Sequence, residues 1–404
     1  MGLYRDNSRR IGRRGWIFLL AMFTSSVGGV AAHLLFNLYL RELGWPDSTI
    51  GLAQFTAMGT GAALTLPSAY VSFRIRPFYM VFGSLVAAAL GVLLLILSPS
   101  PVAIFASATL TGVSSALSSA SLSPFMLRLV GHDFAPFLFS AQWSVATLGG
   151  FLGNLTGGWL AAAGYRWAFA FALACYLLAL LTGIFLRPPR VTETRRKTNF
   201  LVGLRDEWRG LVKLGITQAF IGLGAGLFVP FINLYFKDRF NLSTGTIGVL
   251  YGVQSAFLFI SGLLAPYVVS RLGKIKTVIV TQALSLPFNA ALAFSWNLVI
   301  SSVSFWIRGG LMNMAQPMMS NYAVESVRPE FGGTATALMS LFWMGCFSLS
   351  NLAAGFLMER WGFGLPILLG AGFYLVSTLL IWAWFGRRGR RGGREDEKGV
   401  GRAL

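Results

Sequence analysis

The chain has 404 residues, of which 55% are hydrophobic and only 12% charged, with a mean hydropathy of +0.65. Soluble domains carry roughly 25% charged residues, so this composition excludes an ordinary water-soluble globular fold. The net charge of +19, from 33 basic and 14 acidic side chains, would suit a nucleic-acid binder if it were clustered. It lies instead between apolar stretches, and no nucleic-acid partner is expected.

Uncharged stretches of about 20 residues, enough to cross a hydrocarbon layer of about 30 Å, recur along the chain. Twelve spans are predicted. Those of the first half lie near 16–40, 49–72, 78–98, 101–127, 135–162 and 165–186. Those of the second lie near 210–236, 244–269, 277–296, 298–326, 331–359 and 364–385. The first apolar run follows Arg13 and Arg14 and is too long for a cleavable signal, so it is expected to stay as the first helix. Prolines inside the runs, Pro67, Pro124, Pro230 and Pro317, are predicted to kink helices whose backbone is satisfied by neighbours. The 47 glycines read as packing material, because helices in a bilayer associate by close approach. Cys175 and Cys346 fall inside spans and suggest neither a disulfide nor a metal site.

The predicted organisation is a basic N-terminus (1–15), a first six-helix bundle (16–186), a linker (187–209), a second bundle (210–385) and a basic tail (386–404). With the N-terminus inside, 27 basic residues face the cytoplasm and five (Arg41, Arg166, Lys237, Arg239 and Arg360) face outward, while Arg308 lies within a span. The positive-inside rule therefore places both termini in the cytoplasm of a multi-pass cell-membrane protein. Phe200, Leu204, Trp208 and Leu211 stand at helical spacing in and just after the linker, which is expected to lie partly on the membrane surface. The tail is expected to be drawn to anionic lipid.

An internal repeat is the most specific signal. Asn37-Leu-Tyr-Leu-Arg-Glu followed by Ser48-Thr-Ile-Gly recurs as Asn233-Leu-Tyr-Phe-Lys-Asp followed by Thr244-Gly-Thr-Ile-Gly. The offset is 196 from Asn37 to Asn233, 197 from Ile50 to Ile247, 193 from Pro124 to Pro317 and 197 from Asn154 to Asn351. Because each half has an even number of spans, the two repeats share one orientation and are related by an axis along the membrane normal. The fold class is thus an all-α membrane protein of twelve transmembrane helices in two pseudo-symmetric six-helix bundles. A duplicated architecture of this kind suits alternating access to a central site.

On these features the chain resembles the major facilitator superfamily over residues 10–386. The segment Ser270-Arg271-Leu-Gly273-Lys274-Ile-Lys is similar to the family's loop motif, with Ser270 where the family has an acid, and the resemblance implies a gating loop at Arg271, Gly273 and Lys274. The run Gly149-Gly-Phe-Leu-Gly153-Asn154-Leu-Thr-Gly157-Gly158 is similar to the glycine signature of the family's exporters, with Asn154 in place of proline. Both efflux and simple helix packing fit those glycines. The resemblance implies a secondary transporter acting without a cofactor, as a monomer, on a small-molecule substrate.

Candidate site residues follow. Arg308 lies about ten residues into the tenth span, where a charge costs about 2.5–3.5 kcal/mol unless it faces a cavity or a partner. It suits an anionic substrate group, and pairing with backbone carbonyls or Glu325 is the alternative. The amides Asn37, Asn233, Gln142, Gln218, Gln254, Asn313 and Gln316 fit substrate contacts or bonds between helices. Asn37 and Asn233 lead, since the repeat makes them equivalent. His33 titrates near neutral pH and fits either a proton-coupling step or helix packing, and Glu325 is a second coupling candidate. Arg41-Glu42 and Lys237-Asp238 are expected to close the outer span ends. No carboxylate lies mid-membrane, and enzymatic parts are missing: no metal-ligand cluster, no catalytic group and no phosphate loop. Efflux of an amphipathic compound leads, followed by uptake or exchange of an organic anion at Arg308 and, in another class, a non-transporting sensor.

Overall fold

A computed structural model describes residues 12–72, 74–130, 135–186, 200–325 and 332–385. The basic N-terminus through Ile11, most of the predicted linker and the basic tail lie outside the described residues. Among the described residues every regular element is helical.

Six helices form the first half: α1 Gly12–Glu42, α2 Asp47–Ser72, α3 Pro77–Leu97, α4 Pro101–Val130, α5 Ala135–Ala163 and α6 Tyr165–Ile184. The second half holds α7 Phe200–Gly226, α8 Ile232–Phe240, α9 Thr244–Leu272, α10 Lys274–Phe294, α11 Leu298–Glu325, α12 Gly332–Trp361 and α13 Gly364–Phe385. Nine segments are long and apolar enough to cross a membrane, counting α7 and α8 with their junction as one. The other three long helices, α2, α5 and α11, carry Ser, Thr, Gln and Asn among their apolar residues. Many of their hydroxyls bond back to their own helix, as Thr56 and Thr65 do to Leu52 O and Gly61 O at 2.9 and 2.8 Å. That satisfies a polar group without leaving the helix.

The apolar stretch of the seventh span begins at Gly210, as expected, while its helix starts earlier, at Phe200, in line with the helical spacing of Phe200, Leu204, Trp208 and Leu211. The span is also broken: α7 ends at Gly226, a single 3-10 turn covers Val229–Phe231, and α8 resumes at Ile232. Pro230 lacks the N–H that a continuous helix would need and its ring obstructs the preceding turn, which stops the helix there. Pro67, Pro124 and Pro317, by contrast, lie within continuous helices. Tight connections use glycine where the backbone leaves the usual region: Gly164 alone joins α5 to α6 with φ 141°, and Gly273 alone joins α9 to α10 with φ 78°.

Helix pairings recur between the repeats. α3 packs on α4 and α6, and α1 on α6; correspondingly α10 packs on α11 and α13, and α13 on α7. By contacts the chain divides into two compact units. One comprises Met1–Arg196, Pro230–Ala256 and Asn351–Glu359; the other comprises Lys197–Val229, Phe257–Ser350 and Arg360–Leu404. The first unit has a core around Phe18, Leu19, Phe125 and Leu138, the second around Leu214, Val278, Met319 and Ile381. Large apolar side chains such as Trp143, Leu181, Leu263 and Trp382 remain exposed, as expected when lipid is the surrounding solvent.

The first unit takes in parts of the second repeat because two close helix crossings hold them. A Cβ on Gly158 of α5 would lie 2.8 Å from the Cα of Gly248 on α9. Its equivalent in the repeat is Gly51 of α2, whose Cβ would lie 3.0 Å from the Cα of Gly355 on α12. Gly51 and Gly248 share the 197-residue offset, as do Gly158 and Gly355. Only a missing side chain permits such an approach. Gly158→Leu is expected to lower the thermal unfolding midpoint of the purified protein through an overpacking cost of about 1–3 kcal/mol. Gly372→Leu, on a stretch of α13 with open space around it, is expected to leave the midpoint unchanged.

Candidate functional site

Two constellations collect the polar side chains of the spans, one in each compact unit. The first begins at the break in the seventh span. Asn233 Oδ1 accepts the Leu234 backbone N–H at 2.9 Å, and the Pro230 carbonyl accepts a bond from Asn37 Nδ2 of α1 at 2.7 Å. In return Asn233 Nδ2 donates to the Leu34 carbonyl of α1 at 2.8 Å. The two repeat-related asparagines therefore bond reciprocally to each other's helices. Both are buried, 1% and 2% exposed, and Gln54 Nε2 of α2 completes the set by donating to Asn37 Oδ1 at 2.6 Å. Such bonds are strong here because the alternative is an unsatisfied polar group away from water.

Toward the ends of the same helices lies a charge cluster. Arg41 pairs with Asp47 at the start of α2, and its Nη2 also donates to Asp238 Oδ2 of α8 at 2.9 Å. Lys237 Nζ lies 3.2 Å from Glu42 Oε2, and the Ser48 N–H donates to Glu359 Oε2 at 3.2 Å. The expected end-closing role of Arg41-Glu42 and Lys237-Asp238 thus takes a specific form: each basic residue of one repeat pairs with an acid of the other. Asp47 and Glu359 as partners, and Gln54 beneath them, were not visible in the sequence. Burial raises the Asp47 carboxyl above the usual range; Arg41 opposes this, while Asp238 and Glu359 add to it.

The glycine run of α5 packs. Gly149, Gly153 and Gly157 face Phe23, Ser26, Val27 and Ala31 of α1, and Gly158 faces α9. Asn154 Nδ2 donates to Tyr251 O and Ser255 Oγ of α9, both at 3.2 Å, while its Oδ1 finds no partner among the described residues.

The second constellation surrounds Arg308. Its side chain is 5% exposed, its Nη2 donates to Tyr374 Oη of α13 at 2.6 Å, and its guanidinium carbon sits 4.6 Å over the Phe228 ring and 5.5 Å from that of Tyr374. Among the described residues, two aromatic faces and a phenol stand where a carboxylate usually accompanies a buried arginine. Tyr374 and Phe228 were missed because aromatic residues are too common in these spans to stand out.

The remaining candidates are dispersed. His33 is exposed on α1, and no hydrogen bond is seen for it among the described residues. Gln142 is half-buried; Gln218 and Gln254 are buried, the latter with an unpartnered Oε1. Asn313 is exposed and donates to Gly309 O of its own helix at 2.9 Å. The side chains of Gln316 and Glu325 lie outside the described residues. In the loop similar to the family motif, Arg271 stacks on Tyr267 at 5.5 Å, Gly273 makes the turn and Lys274 opens α10.

The Major Facilitator Superfamily matches the chain twice, over residues 16–213 and 214–403, and the chain belongs to that family of membrane transporters. Its fold is shared by the nucleoside transporter NupG, with TM-score 0.76 at 14% identity over 93% of this chain and 99% of that one. It is likewise similar to a bacterial homologue of the human lysosomal transporter Spinster in an inward-facing, occupied state, with TM-score 0.75, 12% identity and coverage of 91% and 95%. A bacterial homologue of the iron transporter ferroportin, also inward-facing, gives TM-score 0.72, 15% identity and coverage of 92% and 98%. No curated protein sequence matches the chain.

Removing either asparagine leaves a buried carbonyl without its donor. Asn37→Ala and Asn233→Ala are each expected to cost about 1–3 kcal/mol in thermal or denaturant unfolding. A double-mutant cycle of Arg41→Ala with Asp238→Ala is expected to give a coupling below about 1 kcal/mol, because both side chains remain partly solvated.

Proposed function

We propose that the protein is a secondary transporter that moves a small amphipathic molecule out of the cell by alternating access, with both termini in the cytoplasm. The observation that carries this reading is the reciprocal Asn37 and Asn233 bonding beneath the Arg41, Asp47 and Asp238 cluster. These groups form a latch, made of a few bonds between repeat-related helices, that can be exchanged for water when the helices part. The glycine crossings beside it are smooth surfaces with no side chain to unhook. Closure at this end by the latch, and release of it, are the two states that alternating access requires.

Outward transport is favoured by the similarity of the α5 glycine run to the exporter signature and by the surplus of Phe, Met and Trp. A second reading, uptake or exchange of an organic anion, is favoured by one observation: Arg308 is buried without a carboxylate beside it among the described residues. His33, exposed on α1, and Glu325 are the candidates for proton coupling. In vesicles reconstituted with the purified protein, a panel of amphipathic cations and organic anions is expected to show saturable flux in the exporting direction without ATP. Inward flux confined to organic anions and lost in Arg308→Gln would replace this reading with the second. Absence of flux for every compound would favour a sensor.

The latch also has a pH dependence whose sign is set by Asp47 and Asp238, both raised by burial. Each carboxyl is raised in the closed latch relative to a solvated carboxyl, so the closed form binds the proton more tightly. As pH falls toward the raised values the closed form gains population, and below the ordinary carboxylate range the gain stops because both forms are protonated. Spin labels across the latch are expected to report more of the short distance as pH drops from neutral, a response that Asp47→Asn reduces and the double replacement with Asp238→Asn removes.

A further inference from the structure

Arg308 is one member of a buried group of donors that has no acceptor to match. Between Asp238 and Glu325, and again between Glu359 and Glu395, the sequence contains no Asp or Glu, so among the described side chains α9, α10, α11 and α13 bring no carboxylate to this part of the second unit. Arg308 Nη2 is used on Tyr374, but Nε is buried and has no partner among the described residues. By accepting that bond, the Tyr374 hydroxyl keeps its own proton to donate. The third member is Asn289 of α10, which is 0% exposed and whose amide nitrogen and oxygen are both unpartnered among the described residues.

Helix register brings the three to within about one helical turn of each other. On the antiparallel pair α10 and α11, Ser285 Oγ meets Met312 Sδ at 3.3 Å. One turn nearer the connecting loop on each helix, and on the same faces, stand Asn289 and Arg308. On α13, Thr378 donates to Gln282 Oε1 of α10 at 3.0 Å, and Tyr374 lies one turn from Thr378 toward the same level. Three helices thus place a guanidinium, a phenol hydroxyl and a buried amide near one level, with Arg308 and Tyr374 in direct contact and Asn289 on the face of α10 that carries Ser285 and Gln282. Buried donors left unpaired are costly, and a buried cation without a counter-ion more so.

We propose that Arg308, Tyr374 and Asn289 bind one small monovalent anion of halide size. The side chains choose the size. A carboxylate normally takes two parallel bonds from the Nε and Nη2 edge of arginine, and here Tyr374 already takes one of the two Nη2 hydrogens, so that fork is partly engaged while Nε–H stays unpartnered among the described residues. A spherical ion accepts that N–H together with O–H and amide donors from separate helices without needing the fork. The near-complete burial of all three residues admits a bare ion more readily than the end of an organic molecule. The site stands apart from the direction of transport: the ion is either a fixed counter-charge for Arg308 or a co-transported one.

The test uses the full-length protein in detergent or lipid discs, with chloride replaced by gluconate at constant ionic strength. Chloride and bromide are expected to raise the unfolding midpoint saturably. Asn289→Ala and Tyr374→Phe, both milder than a change at the arginine, are expected to weaken the apparent chloride affinity about tenfold each. Arg308→Gln is expected to abolish the saturable response, and the two milder variants decide the matter if it does not fold. Identical midpoints in chloride and gluconate would overturn the proposal, as would a chloride response unchanged in the Asn289 and Tyr374 variants. Stabilisation by organic carboxylates without any by halide would overturn it too, in favour of a substrate carboxylate. Because binding is read without flux, failure here leaves the transport reading untouched.

Discussion

Backbone polar groups inside a membrane must find partners within the protein, and the second repeat violates the simplest way of doing so at Pro230. The break there removes the regular ladder between α7 and α8 and leaves carbonyls and amides in an apolar setting. The chain repairs the break locally with Asn233, whose side-chain oxygen takes the Leu234 amide, and at long range with Asn37, which reaches across from α1 to the Pro230 carbonyl. A defect in one repeat therefore becomes a bond to the other. The Arg41 cluster and the two glycine crossings gather around this point, and for this reason parts of the second repeat belong to the same compact unit as the first.

The arrangement has the energetic character a moving part needs. The buried amide bonds are individually worth about a kilocalorie net, and the charge pairs above them less, since water screens them. A handful of such contacts holds one state by a few kilocalories and is within reach of the differential binding of a ligand. A continuous apolar core in the same place would be harder to part. The Arg308 group is built on the opposite plan: three helices, near-complete burial and donors in excess, an environment suited to holding a charge in place.

Much of the fold was legible in the sequence, because hydropathy and the near-constant offset are long-range averages insensitive to single residues. The twelve spans and the two repeats follow from such patterns, whereas the single-residue turns at Gly164 and Gly273 show only in the structure. Pro230 was read as a kink and proved a break; whether proline bends or ends a helix depends on what satisfies the freed groups, and that partner, Asn37, stands 193 residues away. The helical spacing of Phe200, Leu204 and Trp208 within the predicted linker corresponds to the start of α7, which runs on into the seventh span. In the site, Asn37, Asn233 and Arg308 stood out because polar groups are rare and costly in spans. Gln54, Asn289 and Tyr374 did not, since what marks them is the residue opposite. For Asn37 and Asn233, substrate contact requires a conformation other than this one, where bonds to carbonyls already engage both amide nitrogens.

The central claim is that the Asn37 and Asn233 latch must open and close for transport. The most direct measurement starts from a background with Cys175 and Cys346 replaced by serine and places cysteines at positions 41 and 238, whose native side chains meet at 2.9 Å. A short thiol-specific cross-linker joins them in vesicles. The account predicts that cross-linking stops flux and that cleaving the linker restores it. Flux that continues at the parent rate with the latch covalently closed would contradict the account.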